Sequence, residues 1–152
     1  ILCYSIIYIL MTNILFTICN TVILFVWASV LFFPKSILSK YLISFPWVPL
    51  TIGFFYIYFL VLSGGIMDAD FSSLEGILKL FKEATPESAA AGWLHYLAFD
   101  FWVGTWIIRH SQKNEIKHLY IIFPLLLTFM LGPVGILAYS VVYFSKKLRK
   151  AS

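Results

Sequence analysis

Two ionisable side chains lie inside a long apolar segment of the sequence. The segment 89–110 reads AAAGWLHYLAFDFWVGTWIIRH and carries His95 and Asp100 near its middle. A carboxylate in the middle of a bilayer costs about 2.5–3.5 kcal/mol on insertion scales, so such a group is usually paired, neutralised or functional. Because burial disfavours the charged form of both side chains, the two are suited to act as a neutral acid and a neutral base.

A structural role for the same carboxylate is the alternative. Tyr96 precedes Asp100 by one helical turn and can hydrogen-bond it, and Asn13 or Asn20 of an earlier segment can reach across from another helix. In that case Asp100 fastens helices together and transfers no proton. Residue chemistry alone leaves both interpretations open.

The composition indicates an integral membrane protein. Of 152 residues 61% are hydrophobic and only 12% are charged, about half the charged fraction of a typical soluble domain, and the mean hydropathy is +0.92. We expect one transmembrane domain over residues 1–152. The net charge of +4 comes mostly from Lys146, Lys147, Arg149 and Lys150, and a basic tail at a membrane surface meets anionic lipid more often than nucleic acid. The lipid membrane is therefore an expected partner, and nucleic acid is not.

The pattern of apolar runs predicts an all-α fold, a membrane-spanning four-helix bundle. The four spans are expected over residues 5–33, 42–63, 86–110 and 118–144. Pro34 ends the first span, and Thr85-Pro86 starts the third. Pro46 and Pro49 should bend the second span, and Pro124 and the segment GPVG (132–135) should kink or partly unwind the fourth.

A short amphipathic helix is expected between the second and third spans. Leu74, Ile77, Leu78 and Phe81 recur at helical spacing within residues 72–83, and charged residues occupy the other face. Such a helix lies in the membrane interface rather than crossing the bilayer.

A helical wheel of the third span separates two faces. One contiguous arc, which we assign to lipid because it is almost wholly apolar, contains Leu94, Leu97, Ala98, Phe101, Thr105 and Ile108. The opposite arc is expected to form an inward trough between His95 and Asp100, and contains Gly92, Tyr96, Phe99, Val103, Trp106 and Ile107. No metal or cofactor is expected, since the histidines are dispersed and no ligand spacing is present.

The third and fourth spans also carry a long motif. AGWLHYLAFDFWVGTWIIRH followed by LTFMLGPVGILAY resembles the abscisic-acid-deficient family of small four-span membrane proteins, whose plant member is associated with neoxanthin synthesis. Upstream, NTVILFVW and SLEGILKLF are similar to further segments of that family, so the likeness covers nearly the whole chain from Met11 onward. His110 departs from the family pattern, which has an acidic residue there.

The resemblance implies a reaction class, a ligand and a set of site residues. The reaction associated with the plant member opens an epoxide on the end ring of violaxanthin and removes a carbon-bound proton to leave an allene, without a redox cofactor. Asp100 and His95 would supply the acid and the base. Contacts to a carotenoid or related isoprenoid are expected from Asn20, Trp27, Trp93, Tyr96, Phe99, Trp106 and Arg109. A plastid or bacterial membrane is the implied location.

Two other functions remain open at this point. The first is a non-catalytic accessory subunit of a larger membrane complex, which would suit an aromatic content of 19%. The second is a small transporter or proton path through Asp100. Both remain open because a resemblance fixes a fold more firmly than it fixes a reaction.

Overall fold

The computed structural model describes the backbone of residues 2–64 and 69–151 and the side chains of residues 10–64 and 69–149. Within these ranges the fold is all-α and contains no strand. The helices are α1 (Leu2–Phe32), α2 (Ile37–Ser44), α3 (Trp47–Leu62), α4 (Leu74–Lys82), α5 (Pro86–Lys113), α6 (Ile122–Leu131) and α7 (Pro133–Ala151), with a 3-10 turn at His118–Tyr120.

Helix α5 is the central helix of the molecule. It begins at a reciprocal cap in which Ser88 N donates to Thr85 Oγ1 and Thr85 N donates to Ser88 Oγ, with Pro86 in the first turn. The arc of α5 that the helical wheel assigned to lipid is buried throughout, so that assignment is wrong. The trough arc is mostly exposed or half-buried instead, and Phe99 and Trp106 point away from the core.

Helix α1 packs along α5 and runs in the same direction. Thr12 Oγ1 donates to Glu87 Oε1 at 3.3 Å near the start of α5, and Trp93 Nε1 donates to Asn20 Oδ1 at 2.9 Å further along. Beyond these bonds the Trp27 ring lies against Gly104, where an added Cβ would stand 2.5 Å from the ring. Glycine at position 104 therefore sets how closely the two helices approach.

The segment predicted as a second span is broken near its start. Helix α2 ends at Ser44, α3 begins at Trp47, and the two axes differ by 62°. The segment expected over 42–63 thus contains a sharp bend at Pro46, which lacks the amide hydrogen that would continue the helix. Helix α3 then returns along α5, with the Tyr56 ring 5.5 Å from the His95 ring.

The fourth predicted span is a helical hairpin rather than one helix. Helix α6 starts beside the end of α1, where His118 Nε2 lies 2.9 Å from Leu31 O, and it ends beside Asp100 in the middle of α5. Helix α7 then runs back toward the end of α5, where Tyr139 OH lies 2.7 Å from His110 Nδ1. The prediction of a single kinked span over 118–144 is therefore wrong.

Two glycines make the reversal of the hairpin possible. Gly132 adopts a φ of +50°, which side chains with a Cβ rarely tolerate, and it connects α6 directly to α7. Gly135 faces Thr128 so closely that an added Cβ would stand 2.6 Å from the Thr128 Cα. The two helices can lie this close together only because position 135 has no side chain.

Helix α4 lies where the interfacial helix was expected. Ser73 is its N-cap and accepts from Gly76 N, while Asp70 accepts from the hydroxyls of Ser72 and Ser73. Those hydrogen bonds lower the pKa of Asp70 to about 2, because they favour the ionised carboxylate. The apolar side chains of α4 are largely exposed, Leu74 by 76% and Phe81 by 73%.

The prediction of four spans is not confirmed. Among the described residues, Leu10–Phe32 is long and apolar enough to cross a membrane, with a mean hydropathy of 2.3. The bent pair α2 and α3 passes the same test if it is counted as one span. Length and composition therefore identify one or two candidate spans.

Candidate functional site

A largely apolar cavity of about 710 Å³ lies beside the first half of α5. Helix α3 contributes Tyr56 and Leu60 to its wall, and α4 covers it with Leu80 and Phe81. Met130, at the end of α6, closes it toward the middle of α5. The cavity exists because the hairpin reverses halfway along α5 and leaves the remaining half of that helix uncovered on this side.

Three of the sequence-predicted residues line this cavity together: Trp93, His95 and Tyr96. The His95 ring stacks on Phe99 at a centroid distance of 4.7 Å and meets Tyr56 at the wall. The Trp93 ring lies 5.5 Å from the Tyr96 ring. Aromatic neighbours thus hold both proton-carrying side chains, His95 and Tyr96, in an otherwise apolar wall.

Asp100 lies behind the cavity wall rather than in it. Its side chain is buried, its Oδ2 has no hydrogen-bond partner among the described residues, and the Tyr96 hydroxyl interacts with its carboxylate. His95 and Asp100 are five residues apart, which places them about 140° apart around a helix and about 7.5 Å apart along it. Tyr96 therefore connects the carboxylate to the cavity.

The turn of the hairpin sits directly on Asp100. A Cβ built on Gly132 would lie 2.8 Å from Asp100 Oδ1, so the backbone of the turn covers the carboxylate. This contact has two consequences. It seals Asp100 from the outer surface. It also couples the position of the hairpin to Asp100, which is the only buried carboxylate in the described part of α5 after the first turn of that helix.

The other sequence-predicted residues lie away from the cavity. Asn20 lies outside the cavity and accepts a hydrogen bond from Trp93, which lines the cavity. Trp27 is buried in the core against Phe101, with a centroid distance of 5.4 Å. The remaining three residues are Phe99, Trp106 and Arg109. They point outward or lie near the C-terminal end of α5.

The sequence interpretation missed the residues that other helices bring to the cavity. Tyr56 and Met130 come from α3 and α6, and Leu80 and Phe81 come from α4. The apolar face of α4 was recognisable, but its position over the start of α5 was not. Met130 could not be anticipated because its place at the cavity depends on how α6 packs beside α5.

The hydrogen bond between Trp93 and Asn20 should contribute measurably to stability. In a double-mutant cycle with Trp93→Phe and Asn20→Leu, we expect a coupling of about 1 kcal/mol, the net value of a typical intramolecular hydrogen bond. Chemical unfolding in detergent, followed by circular dichroism, measures it. Additive single changes would mean that the bond is not formed in solution.

These features define a small all-α protein with an apolar cavity of ligand size and a histidine and a tyrosine in its wall. The chain belongs to the ABA DEFICIENT 4-like family, whose model matches residues 14–139. The match covers most of the chain and agrees with the resemblance carried by the motif around His95 and Asp100. Comparison with curated proteins and with solved structures gives no match.

Proposed function

We propose that the protein is an integral membrane isomerase that acts on one end ring of a carotenoid or related isoprenoid. The observation that carries the proposal is the cavity of about 710 Å³ with His95 and Tyr96 in an otherwise apolar wall. A pocket of this size is typical of small-molecule sites, in which a few polar groups orient a mainly apolar ligand. The ring occupies the cavity, and the polyene chain extends into lipid.

The membrane location is supported by the outer surface as well as by the family. Only 28% of the most apolar window of α1 is buried, unlike the core helix of a soluble protein. Large apolar side chains are exposed on several helices, among them Phe25, Phe54 and Leu119 at 72%, 78% and 75%. We propose that α1, the bent pair α2 and α3, and α5 cross the bilayer, while the hairpin enters and leaves on one side.

The proposed chemistry uses three side chains in sequence. The Tyr96 hydroxyl protonates the epoxide oxygen as its carbon–oxygen bond breaks, and Asp100 in its protonated form returns a proton to Tyr96. His95 removes a proton from the adjacent carbon, and the electrons of that bond form the new double bond. Return of the proton from His95 to Asp100 through the Tyr96 hydroxyl completes an isomerisation that is balanced without a redox partner.

Reconstitution tests this function. The protein is purified in a mild detergent, its bound pigments and lipids are extracted, and it is then incubated in liposomes with an epoxy-carotenoid. We expect an isoprenoid to copurify and a product of unchanged mass to accumulate. Absence of both, together with other membrane proteins in fixed stoichiometry, would contradict the proposal and favour the accessory subunit.

A further inference from the structure

The reversal of the chain between α6 and α7 determines at which end of the molecule the basic residues of α7 lie. Helices α1 and α5 both run toward one end of the molecule, here called the basic end, where Leu31 meets His118. Two basic residues lie near this end, Lys35 between α1 and α2 and Lys40 within α2. Three more lie at or just after the end of α5, namely Arg109, Lys113 and Lys117.

Helix α7 adds its own positive charges to the same end. Lys146 Nζ donates to Asn114 O at 2.8 Å, which places Lys146, Lys147 and Arg149 beside the end of α5. Eight basic side chains of the described residues thus gather here, with Glu115 as the carboxylate among them. Had α6 and α7 formed one span, the three basic residues of α7 would lie at the opposite end.

The opposite end of the molecule carries more acidic than basic side chains, and it also contains the cavity. Helix α4, its flanking residues and the start of α5 contain two basic side chains, Lys79 and Lys82. The same region contains four described carboxylates, Asp70, Glu75, Glu83 and Glu87. The cavity is covered by Phe81 and bordered by Ser88 at this acidic end. The basic residues and the cavity therefore lie toward opposite ends of the molecule.

Resting on the membrane location proposed above, we propose that the basic end binds the anionic surface of the cytoplasm-facing leaflet and that the cavity takes its ligand from the other leaflet. Lysine and arginine accumulate on the side of a membrane protein that is not translocated, and anionic headgroups attract them. With three crossings and one re-entrant hairpin, the segment around Ser145 lies on the side of Gln112.

Labelling of single cysteines separates this arrangement from four crossings. In a variant with Cys3→Ala and Cys19→Ala, one cysteine is introduced at a time by Glu83→Cys, Gln112→Cys or Ser145→Cys, all at exposed positions. A membrane-impermeant maleimide is applied to intact bacterial cells and to inverted vesicles. We expect positions 112 and 145 to react only in inverted vesicles and position 83 only in intact cells.

The other labelling patterns contradict the proposal in distinguishable ways. Position 145 reacting together with position 83 would establish four crossings, and reversal of all three positions, or reaction in both preparations, would refute the orientation. Release of the protein by alkaline carbonate would instead contradict the membrane location, and with it the proposed function. If the protein stays in the membrane but does not convert an epoxy-carotenoid, only the proposed function is contradicted.

A second measurement tests the lipid surface itself. Protein extracted from membranes that contain phosphatidylglycerol and phosphatidylethanolamine is analysed for retained lipid. We expect Lys147→Gln combined with Arg149→Gln to lower the enrichment of phosphatidylglycerol several-fold, while Lys79→Gln combined with Lys82→Gln leaves it unchanged. Equal effects of the two pairs would contradict an anionic-lipid surface at the basic end.

Discussion

Asp100→Asn is expected to lower the turnover of an epoxy-carotenoid by about 10²–10⁴-fold, the usual contribution of a positioned acid or base. Asparagine keeps the shape of the aspartate and can accept a hydrogen bond from Tyr96, but it cannot supply a proton. The melting temperature should stay close to that of the wild type. Conversion in liposomes and thermal unfolding in detergent are measured on the same preparation.

Two further variants make the result specific. Glu87→Gln applies the same chemical change to another buried carboxylate, one that accepts from Thr12 and does not line the cavity, and it should leave turnover unchanged. Tyr96→Phe keeps the ring in the wall and removes the hydroxyl, so it should reduce turnover as Asp100→Asn does. Full conversion by Asp100→Asn would leave Asp100 as a structural group only and favour the accessory-subunit function.

Gly135→Ala is expected to destabilise the protein by about 3 kcal/mol, the upper end of the usual cost of overpacking. The added Cβ would meet the backbone N and the Oγ1 of Thr128 and stand 2.6 Å from its Cα. Backbone atoms cannot rotate away, so α6 and α7 must separate. Denaturant unfolding in detergent, followed by tryptophan fluorescence, reports the change.

Gly53→Ala is the matched control for this substitution. Gly53 lies in α3, and nothing would stand within 4 Å of an added Cβ. Alanine there should stabilise the helix slightly, because it loses less backbone entropy on folding than glycine does. If both alanine variants unfolded alike, α6 and α7 would not be packed as described.

The sequence predicted the helical class, the start of α5 and the presence of the short helix α4, because each depends on local signals. Thr85 and Pro86 mark the start of α5, and the helical spacing of Leu74, Ile77 and Phe81 marks α4. Asn20 was expected to reach across to the helix that carries Asp100, and it does reach α5, but there it accepts from Trp93 rather than contacting Asp100. Short-range chemistry sufficed for these features.

The orientation of α5 could not be derived from hydropathy. Lipid and a packed helix interior are both apolar, so a purely apolar arc such as that around Leu94 and Phe101 fits either environment. Small residues were the better signal, because Ala91 and Gly104 lie on the buried side. The aromatic residues of the opposite arc, Phe99 and Trp106, cover the outer surface instead.

The candidate site was predicted in part for a similar reason. His95, Tyr96 and Asp100 were recognisable from residue type and spacing within one helix. Their separation into a cavity wall and a covered carboxylate depends on Gly132, whose positive φ turns the chain back beside Asp100. The motif GPVG indicated an interruption of the helix, but a kink and a complete reversal have the same sequence signature.

In the membrane arrangement proposed above, the hairpin also constrains the order in which the protein is assembled during synthesis. Helix α6 has 10 residues and is about 15 Å long, half of the roughly 30 Å of a hydrocarbon core, so the membrane-insertion machinery cannot place it as an independent segment. It can enter only against α1 and α5 once these are in place. In that arrangement a nascent chain that has completed α5 but not α7 would expose Asp100 to lipid, and the unfinished protein would carry a signal that degradation systems can recognise.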